Sequence, residues 1–367
     1  MQFPEIAKNF GFGCMRLPMR EGEVDYDIFN QMIDLFLKAG FNYFDTAHGY
    51  IDGKSETAIR DCLAARYPRE AFVLANKLSD PYFERESDIV PLFEEQLRLC
   101  GVSYFDMYLF HCLNRTLYQK HKRCNAFAIV QELKKQGKVK HIAMSFHDTA
   151  DVLDKILTEQ PCIEAVQLQI NYLDYDDPSI QSKACYDVAQ KHRKPVIVME
   201  PVKGGRLVNL SDAAASVLDA LGGGSYASYA LRYAASYPGV FMVLSGMGNM
   251  DMMYDNIKTM QQFVPLHPEE LQATDQVRSI LRAEKQIPCT GCEYCATPCP
   301  KHIPIAKIFA EYNAFCTART SRAVLRDTLL ALPRGISDCI GCGKCEKICP
   351  QGIHVKDQFS KITNCLK

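Results

Sequence analysis

Eight cysteines near the C-terminus are the residues whose spacing most directly specifies chemistry. They form two groups, Cys289, Cys292, Cys295, Cys299 and Cys339, Cys342, Cys345, Cys349, each spaced C-x2-C-x2-C-x3-C-P. Three thiolates at three-residue steps can wrap one four-iron, four-sulfur cube, while the fourth, followed by Pro300 or Pro350, begins a segment that turns away. Zinc also takes four thiolates, but its structural sites pair separated C-x-x-C hooks rather than four cysteines in eleven residues. Seventeen cysteines in a chain whose opening shows no secretion signal suit metal or redox chemistry better than disulfides. Of the remaining nine, Cys62, Cys100 and Cys162 lie in helical or apolar contexts, where a free thiol acts as a small hydrophobe.

A second constellation lies upstream. Asp45 follows NYF, Lys77 follows FVLAN and His111 follows DMYLF, each a polar residue ending an apolar run, and Tyr50 stands five residues beyond Asp45. A tyrosine beside a lysine can have its pKa lowered from about 10 and give its proton to a carbonyl oxygen. An aspartate keeps the lysine charged, and a histidine can orient the carbonyl. Any one of these alone would read as a cap or a surface charge; three at the ends of successive runs, with Tyr50 in the loop after the first, form a candidate catalytic set.

The elements that must position them alternate. Short β-branched or aromatic runs begin at Gly11, Asn42, Phe72, Asp106, His141, Ala165, Val196 and Val240, separated by stretches with helical apolar spacing such as YDIFNQMIDLFLKAG and DIVPLFEEQLRLCG. Eight strands with crossover helices predict an α/β chain whose residues 1–275 form a (β/α)8 TIM barrel, with the strand-end side chains at its C-terminal mouth. The open doubly wound sheet is the alternative, but no G-x-G-x-x-G follows an early strand and Gly222–Gly224 reads as a helix breaker. Residues 276–287 read as a helical linker, and 288–367 as a small, mainly helical ferredoxin-like domain with two helices, IAKIFAEYNAFC and SRAVLRDTLLAL, between its cysteine loops. That last segment holds 11 basic and 6 acidic side chains, an excess that two oxidised clusters of about −2 each would nearly neutralise.

FDTAHGY, the lysine of VLANKL and the histidine of MYLFHC resemble the Asp, Tyr, Lys and His tetrad of the aldo-keto reductases, and GFGCMRLP and GKSE resemble that family's first strand and a helix start. With the cysteine module attached, the chain resembles the family's iron–sulfur subgroup. The resemblance implies hydride transfer between a nicotinamide and an aldehyde or ketone, with Tyr50 as general acid, Lys77 and Asp45 as its tuners and His111 orienting the substrate. It also implies that Ser145 and Gln167 hold the nicotinamide carboxamide, with Phe146 in place of the family's usual asparagine. Gly246 and Asn256 match the last strand's glycine and the adenine-contacting asparagine. The intervening MGNMDMM lacks the Arg or Lys that a 2′-phosphate wants, so Lys203 and Arg206 of PVKGGRL are the candidate replacements and the choice between NADH and NADPH stays open. The likeness to two-cluster ferredoxins implies one cluster on Cys289, Cys292, Cys295 and Cys349 and a second on Cys339, Cys342, Cys345 and Cys299. Glu200, ending VIVMEP, is a further site candidate.

Charge narrows the partners. With 42 Lys and Arg against 43 Asp and Glu there is no nucleic-acid footprint, and no apolar run of about 18 residues supports a membrane span, so a cytoplasmic protein acting on a small carbonyl or alcohol is expected. Hydride moves two electrons and a cluster one, so exchange between them calls for a flavin mediator or a substrate able to split electrons; otherwise the clusters are structural or face a redox protein partner. The alternative function is an iron–sulfur electron-transfer or redox-sensing protein whose barrel binds a partner, mediator or small molecule. His121, His141, His147 and His192 show no metal spacing and read as structural. Without tryptophan, pocket walls must come from residues such as Tyr82, Phe83, Tyr118 and Tyr172.

Overall fold

The computed structural model describes residues 3–317 and 319–366; Met1, Gln2, Ala318 and Lys367, which the ranges above include, lie outside the described residues. All eight expected strands form: β1 (Phe10–Gly13), β2 (Tyr43–Asp45), β3 (Val73–Leu78), β4 (Phe105–Leu113), β5 (Val139–Phe146), β6 (Ala165–Gln169), β7 (Val196–Met199) and β8 (Val240–Ser245). They pair in parallel and in sequence order, and β8 closes onto β1. Among the described residues no helix is long and apolar enough to cross a membrane.

The two-residue period of a strand decides which side chains fill this barrel. Tyr43, Val73, Ala75, Met107, Leu109, Ala143, Ala165, Ile197, Met242 and Leu244 form the inner cluster, and the outward residues between them pack on the helices. Two residues further along the same faces come Asp45, Lys77, His111, Ser145 and Gln167, so the polar set is the barrel's own top layer. Gly11 makes room for the inner packing, since a Cβ there would stand 2.6 Å from Leu244 and 2.9 Å from both Met242 and Tyr43. Phe3 and Ile6 join the inner cluster at the opposite end, with Phe3 edge-on to His141 at 4.8 Å.

His141 is structural here. Its Nδ1 lies 3.0 Å from Glu164 Oε2, and Glu164 also accepts from the Ile142 N–H at 2.9 Å and from Lys134. Burial alone would raise the Glu164 carboxyl, but the bonds from His141, Lys134 and Ile142 outweigh it and hold the pKa at about 2. A depressed carboxylate contributes stability that is complete above its ordinary value of 4.5 and is lost as pH falls toward 2. With Glu164 about a quarter exposed, roughly 2 kcal/mol is at stake. Glu164→Gln should therefore melt several degrees below the parent at pH 7 and close most of that gap only near pH 2.5 in paired calorimetric scans; an equal deficit at both would contradict this origin.

Packing divides the chain into two units whose bounds differ from 1–275 and 288–367. The barrel unit runs to Pro201 and resumes over Ala227–Leu266; the second takes Val202–Tyr226 and everything from His267 onward. The reason is one continuous helix, Pro268–Ala283, whose Ala273, Val277 and Leu281 are buried and which packs against helix Asp212–Asp219 within the second unit. The stretch 276–287 is thus mostly the end of that helix. Gly222–Gly224 does separate two helices, ending at Asp219 and beginning at Tyr226.

The second unit is mainly helical and internally repeated. Cys299-Pro-Lys-His-Ile-Pro-Ile and Cys349-Pro-Gln-Gly-Ile-His-Val stand 50 positions apart, with positive φ at His302 (50°) and Gly352 (61°), and they lead into helices Ile305–Cys316 and Val355–Leu366. Ile303, Ile305 and Phe309 of the first pack in one core with Ile353, Val355 and Phe359 of the second, the two rings 5.8 Å apart.

Candidate active site

The loop after β2 is pinned before it presents Tyr50. In GKSE, Gly53 takes φ 84° ahead of helix Lys54–Ile59, a left-handed conformation that favours glycine. Ser55 Oγ donates to the Cys14 carbonyl at 2.9 Å and lies 2.7 Å from Thr46 Oγ1, tying the loop to β1 and β2. Glu56, fully buried, meets His48 Nδ1 at 2.7 Å and accepts from Asn76 Nδ2 at 2.8 Å. Asn76 accepts from Gln96, and Tyr108 donates to Gln96 Oε1 at 2.6 Å. This polar chain on the outer face of β3 and β4 also receives the Lys77 N–H on Asn76 Oδ1, at 2.8 Å. It fixes the backbone that carries the lysine.

All four tetrad residues meet at the mouth. Lys77 Nζ donates to Asp45 Oδ1 at 2.6 Å and to the Thr46 carbonyl at 2.8 Å, and lies 4.8 Å from the centroid of the Tyr50 ring. Tyr50 and His111 are edge to face at 6.0 Å, and no member of the set is more than 8 % exposed. Burial works against the Lys77 ammonium, yet Asp45 and Tyr50 outweigh it and hold its pKa above the ordinary value; burial also raises Asp45, opposed by Lys77. His111 is pushed well below its ordinary value by burial and then by Lys77, His147 and His121, so its imidazole is neutral.

Tyr50 departs from the lowered pKa expected of a tyrosine beside a lysine. Lys77 does pull it down, but burial is the larger effect and Asp45 and Cys112 add to it, so the phenol rises to about 12. The group is held protonated, as a proton donor must be.

Ser145 and Gln167 are Cα partners in the β5–β6 register. Ser145 Oγ accepts from the Cys112 N–H at 2.8 Å and keeps its own proton to donate, while Gln167 Oε1 is buried without a hydrogen-bond partner. A donor beside an orphaned acceptor fits the C=O and NH2 of a carboxamide. Asn256 is buried against Ser245, its Nδ2 donating to Ser245 Oγ at 3.0 Å. Next along the chain, Gly246 borders Arg16, whose side chain would be 3.5 Å from a Cβ placed there.

The sequence also singled out Lys203 and Arg206. Both belong to the second unit, where Lys203 Nζ, nearly fully buried, donates to Gln351 Oε1 at 3.0 Å and Arg206 Nη2 donates to the Leu281 carbonyl at 3.0 Å. Gly204 between them takes φ 60° and lies so close to Thr290 that a Cβ would stand 2.3 Å from its carbonyl oxygen. Of the expected aromatic walls, Tyr82 is 45 % exposed and edge-on to His48, whereas Phe83, Tyr118 and Tyr172 are buried. Sequence reasoning missed Arg16 and Ser79. Arg16 stands in GFGCMRLP three residues past β1, and Ser79 continues the two-residue period of Ala75 and Lys77, so both signals were present.

The cysteines of the second unit surround two small cavities. The first is lined by Cys289, Cys292, Cys295 and Cys349, with Ile305, Phe309 and Ile353; the second by Cys299, Cys339 and Cys342, with Ile303, Val355 and Phe359; Cys345 borders both. Each cavity therefore draws thiols from both loops. Among the described residues no three His, Cys, Asp or Glu side chains converge on a single-ion site.

Comparison with known proteins agrees with this geometry. The profile of the aldo/keto reductase family matches residues 9–279, and that of a 4Fe-4S dicluster domain matches residues 288–354. A curated relative, norsolorinic acid reductase B of Dothistroma septosporum, is 34% identical over 86 residues, which is 23% of this chain and only 21% of that protein. The fold is that of an aldo-keto reductase from Bacillus halodurans in its holo form, with a TM-score of 0.61 and 23% identity over 73% of this chain and 91% of that one. It is also that of an aldo-keto reductase from Klebsiella pneumoniae in complex with NADPH, with a TM-score of 0.60 and 20% identity over 74% and 90%.

Proposed function

The chain belongs to the aldo/keto reductase family, and from that premise we propose that its barrel mouth interconverts a carbonyl and an alcohol with a nicotinamide nucleotide, beside a domain that holds two four-iron clusters. The observation that carries the reading is the buried Lys77–Asp45 pair beneath a protonated Tyr50, with a neutral His111 alongside. When bound, the nicotinamide supplies a hydride to the carbonyl carbon. Tyr50 gives its hydroxyl proton to the oxygen, which leaves as the alcohol, and the Lys77 ammonium stabilises the phenolate that results. Asp45, through its 2.6 Å contact, keeps the ammonium in place. His111 is placed to donate a hydrogen bond to the carbonyl oxygen and set its direction.

Ser145 and Gln167 would receive the carboxamide, and Arg16 beside Gly246 is a basic side chain we assign to a nucleotide phosphate. The paired ligand sets follow the cavities: Cys289, Cys292, Cys295 and Cys349 around one cluster, Cys339, Cys342, Cys345 and Cys299 around the other. Such clusters supply one-electron chemistry when bound.

A pH profile tests the proton donor. The acid form of Tyr50 does the work in reduction, and with its pKa near 12 carbonyl reduction should stay level from pH 6 to about 10. Alcohol oxidation needs the phenolate and should climb about tenfold per pH unit over that range, until another step limits. Initial rates in both directions measure this, and a reduction rate falling through an apparent pKa near 7 would overturn the assignment.

A further inference from the structure

The barrel reading leaves one polar contact at the mouth without a use. Ser79 Oγ lies 2.6 Å from His111 Nδ1, and both side chains are buried. A neutral imidazole carries one ring proton, and which nitrogen holds it depends on what the other is bonded to. If His111 is to donate to a substrate carbonyl from Nε2, then Nδ1 must accept.

The surrounding hydrogen bonds decide how Ser79 uses its single proton. Among the described residues, the acceptor within its reach besides His111 is the Lys77 carbonyl, at 3.4 Å. That carbonyl already receives Gln96 Nε2 at 2.9 Å, and Gln96 is locked in turn by Tyr108 and Asn76. A contact of 3.4 Å to an acceptor already in use is weak, whereas 2.6 Å is a short, strong bond. The serine proton therefore points at Nδ1. The alternative, with Nδ1 carrying the proton, would leave the buried serine hydroxyl only its poor contact to Lys77, an arrangement that costs stability.

We propose that Ser79 is a positioning residue that holds His111 in its Nε2-protonated tautomer and fixes the ring plane, so that the imidazole meets the substrate as a hydrogen-bond donor. Burial of the ring, with Lys77 as neighbour, keeps it neutral, the condition under which the tautomer matters. The same contact aligns β3 with β4, since Ser79 lies just past Leu78 and His111 within Phe105–Leu113. The effect on catalysis rests on the reductase reading; the tautomer does not.

The first measurement is therefore spectroscopic, on the whole protein labelled with ¹⁵N-histidine. Long-range nitrogen–proton correlation, with His111→Gln to assign the ring, should place the proton on Nε2; a proton on Nδ1 overturns the proposal whatever the activity. The second compares Ser79→Ala and Ser79→Thr with 4-nitrobenzaldehyde as the probe. Ser79→Ala should lose about 10–100-fold in kcat while the nucleotide Kd stays within twofold, and Ser79→Thr, which keeps the hydroxyl, should recover most of it. Equal losses in Ala and Thr, or a loss confined to nucleotide binding, would also overturn it. Absence of turnover in the parent enzyme would instead count against the reductase reading and leave the ¹⁵N result to stand alone.

Discussion

Tyr50→Phe should lower carbonyl turnover by roughly 10²–10⁴-fold, the range that a positioned general acid contributes, while nucleotide affinity and iron content stay at the parent's values. The substitution removes one oxygen from a ring held edge-on to His111 and over Lys77, so packing is kept and the proton donor is lost. Its neighbours Lys77 and His111 are poor replacements: Lys77 is held charged by Asp45, and His111 is neutral with one nitrogen against Ser79. Single-turnover rates at saturating nucleotide separate the chemical step from binding. A variant within threefold of the parent would mean that the proton comes from elsewhere.

Cys349→Ala should remove the cluster facing the first cysteine loop, although Cys349 belongs to the second. Cys349 lines the cavity of Cys289, Cys292 and Cys295, together with Pro350 and Gln351. Iron analysis should fall from about eight atoms per chain to about four. The crossing itself is tested by adding Cys292→Ala: if both cysteines hold one cluster, the double variant keeps about four iron atoms, as each single variant does, whereas ligand sets confined to each loop would leave it nearly none. Circular dichroism of the variants separates cluster loss from an unfolded domain.

The parts of this molecule that were legible in its sequence are those where a local rule acts alone. The two-residue period that buries Tyr43, Ala75, Leu109 and Ala143 carries Asp45, Lys77, His111 and Ser145 to the mouth, so the strands and three of the tetrad came from one pattern. Cysteine spacing likewise marked two loops, because three of the four ligands to each cube come from one short loop. What escaped depends on contacts between distant segments. Lys203 and Arg206 read as candidate bases for a nucleotide phosphate; what the sequence did not show is that Val202–Tyr226 packs with the C-terminal helices and that its lysine answers Gln351, 148 positions away.

Electrostatics were legible only in part. The sequence placed a lysine near Tyr50 and so suggested a lowered pKa; it could not show how deeply the loop tied down by Ser55 and Glu56 buries the phenol, and burial turns out to be the larger effect. Nor could it show that Gln96, on helix Glu86–Cys100, occupies the Lys77 carbonyl and so directs Ser79 toward His111.

The most direct test of the central claim follows the hydride itself. The holoprotein, its clusters intact and anaerobic, would be incubated with 4-nitrobenzaldehyde and with NADPH or NADH carrying two deuterons at C4, and the alcohol analysed by mass spectrometry. Hydride chemistry at the barrel mouth predicts one deuteron on the carbinol carbon, none exchanged with water, and formation slowed in Tyr50→Phe by the factor given above. Alcohol formed without deuterium, or no alcohol with either nucleotide, would contradict the account.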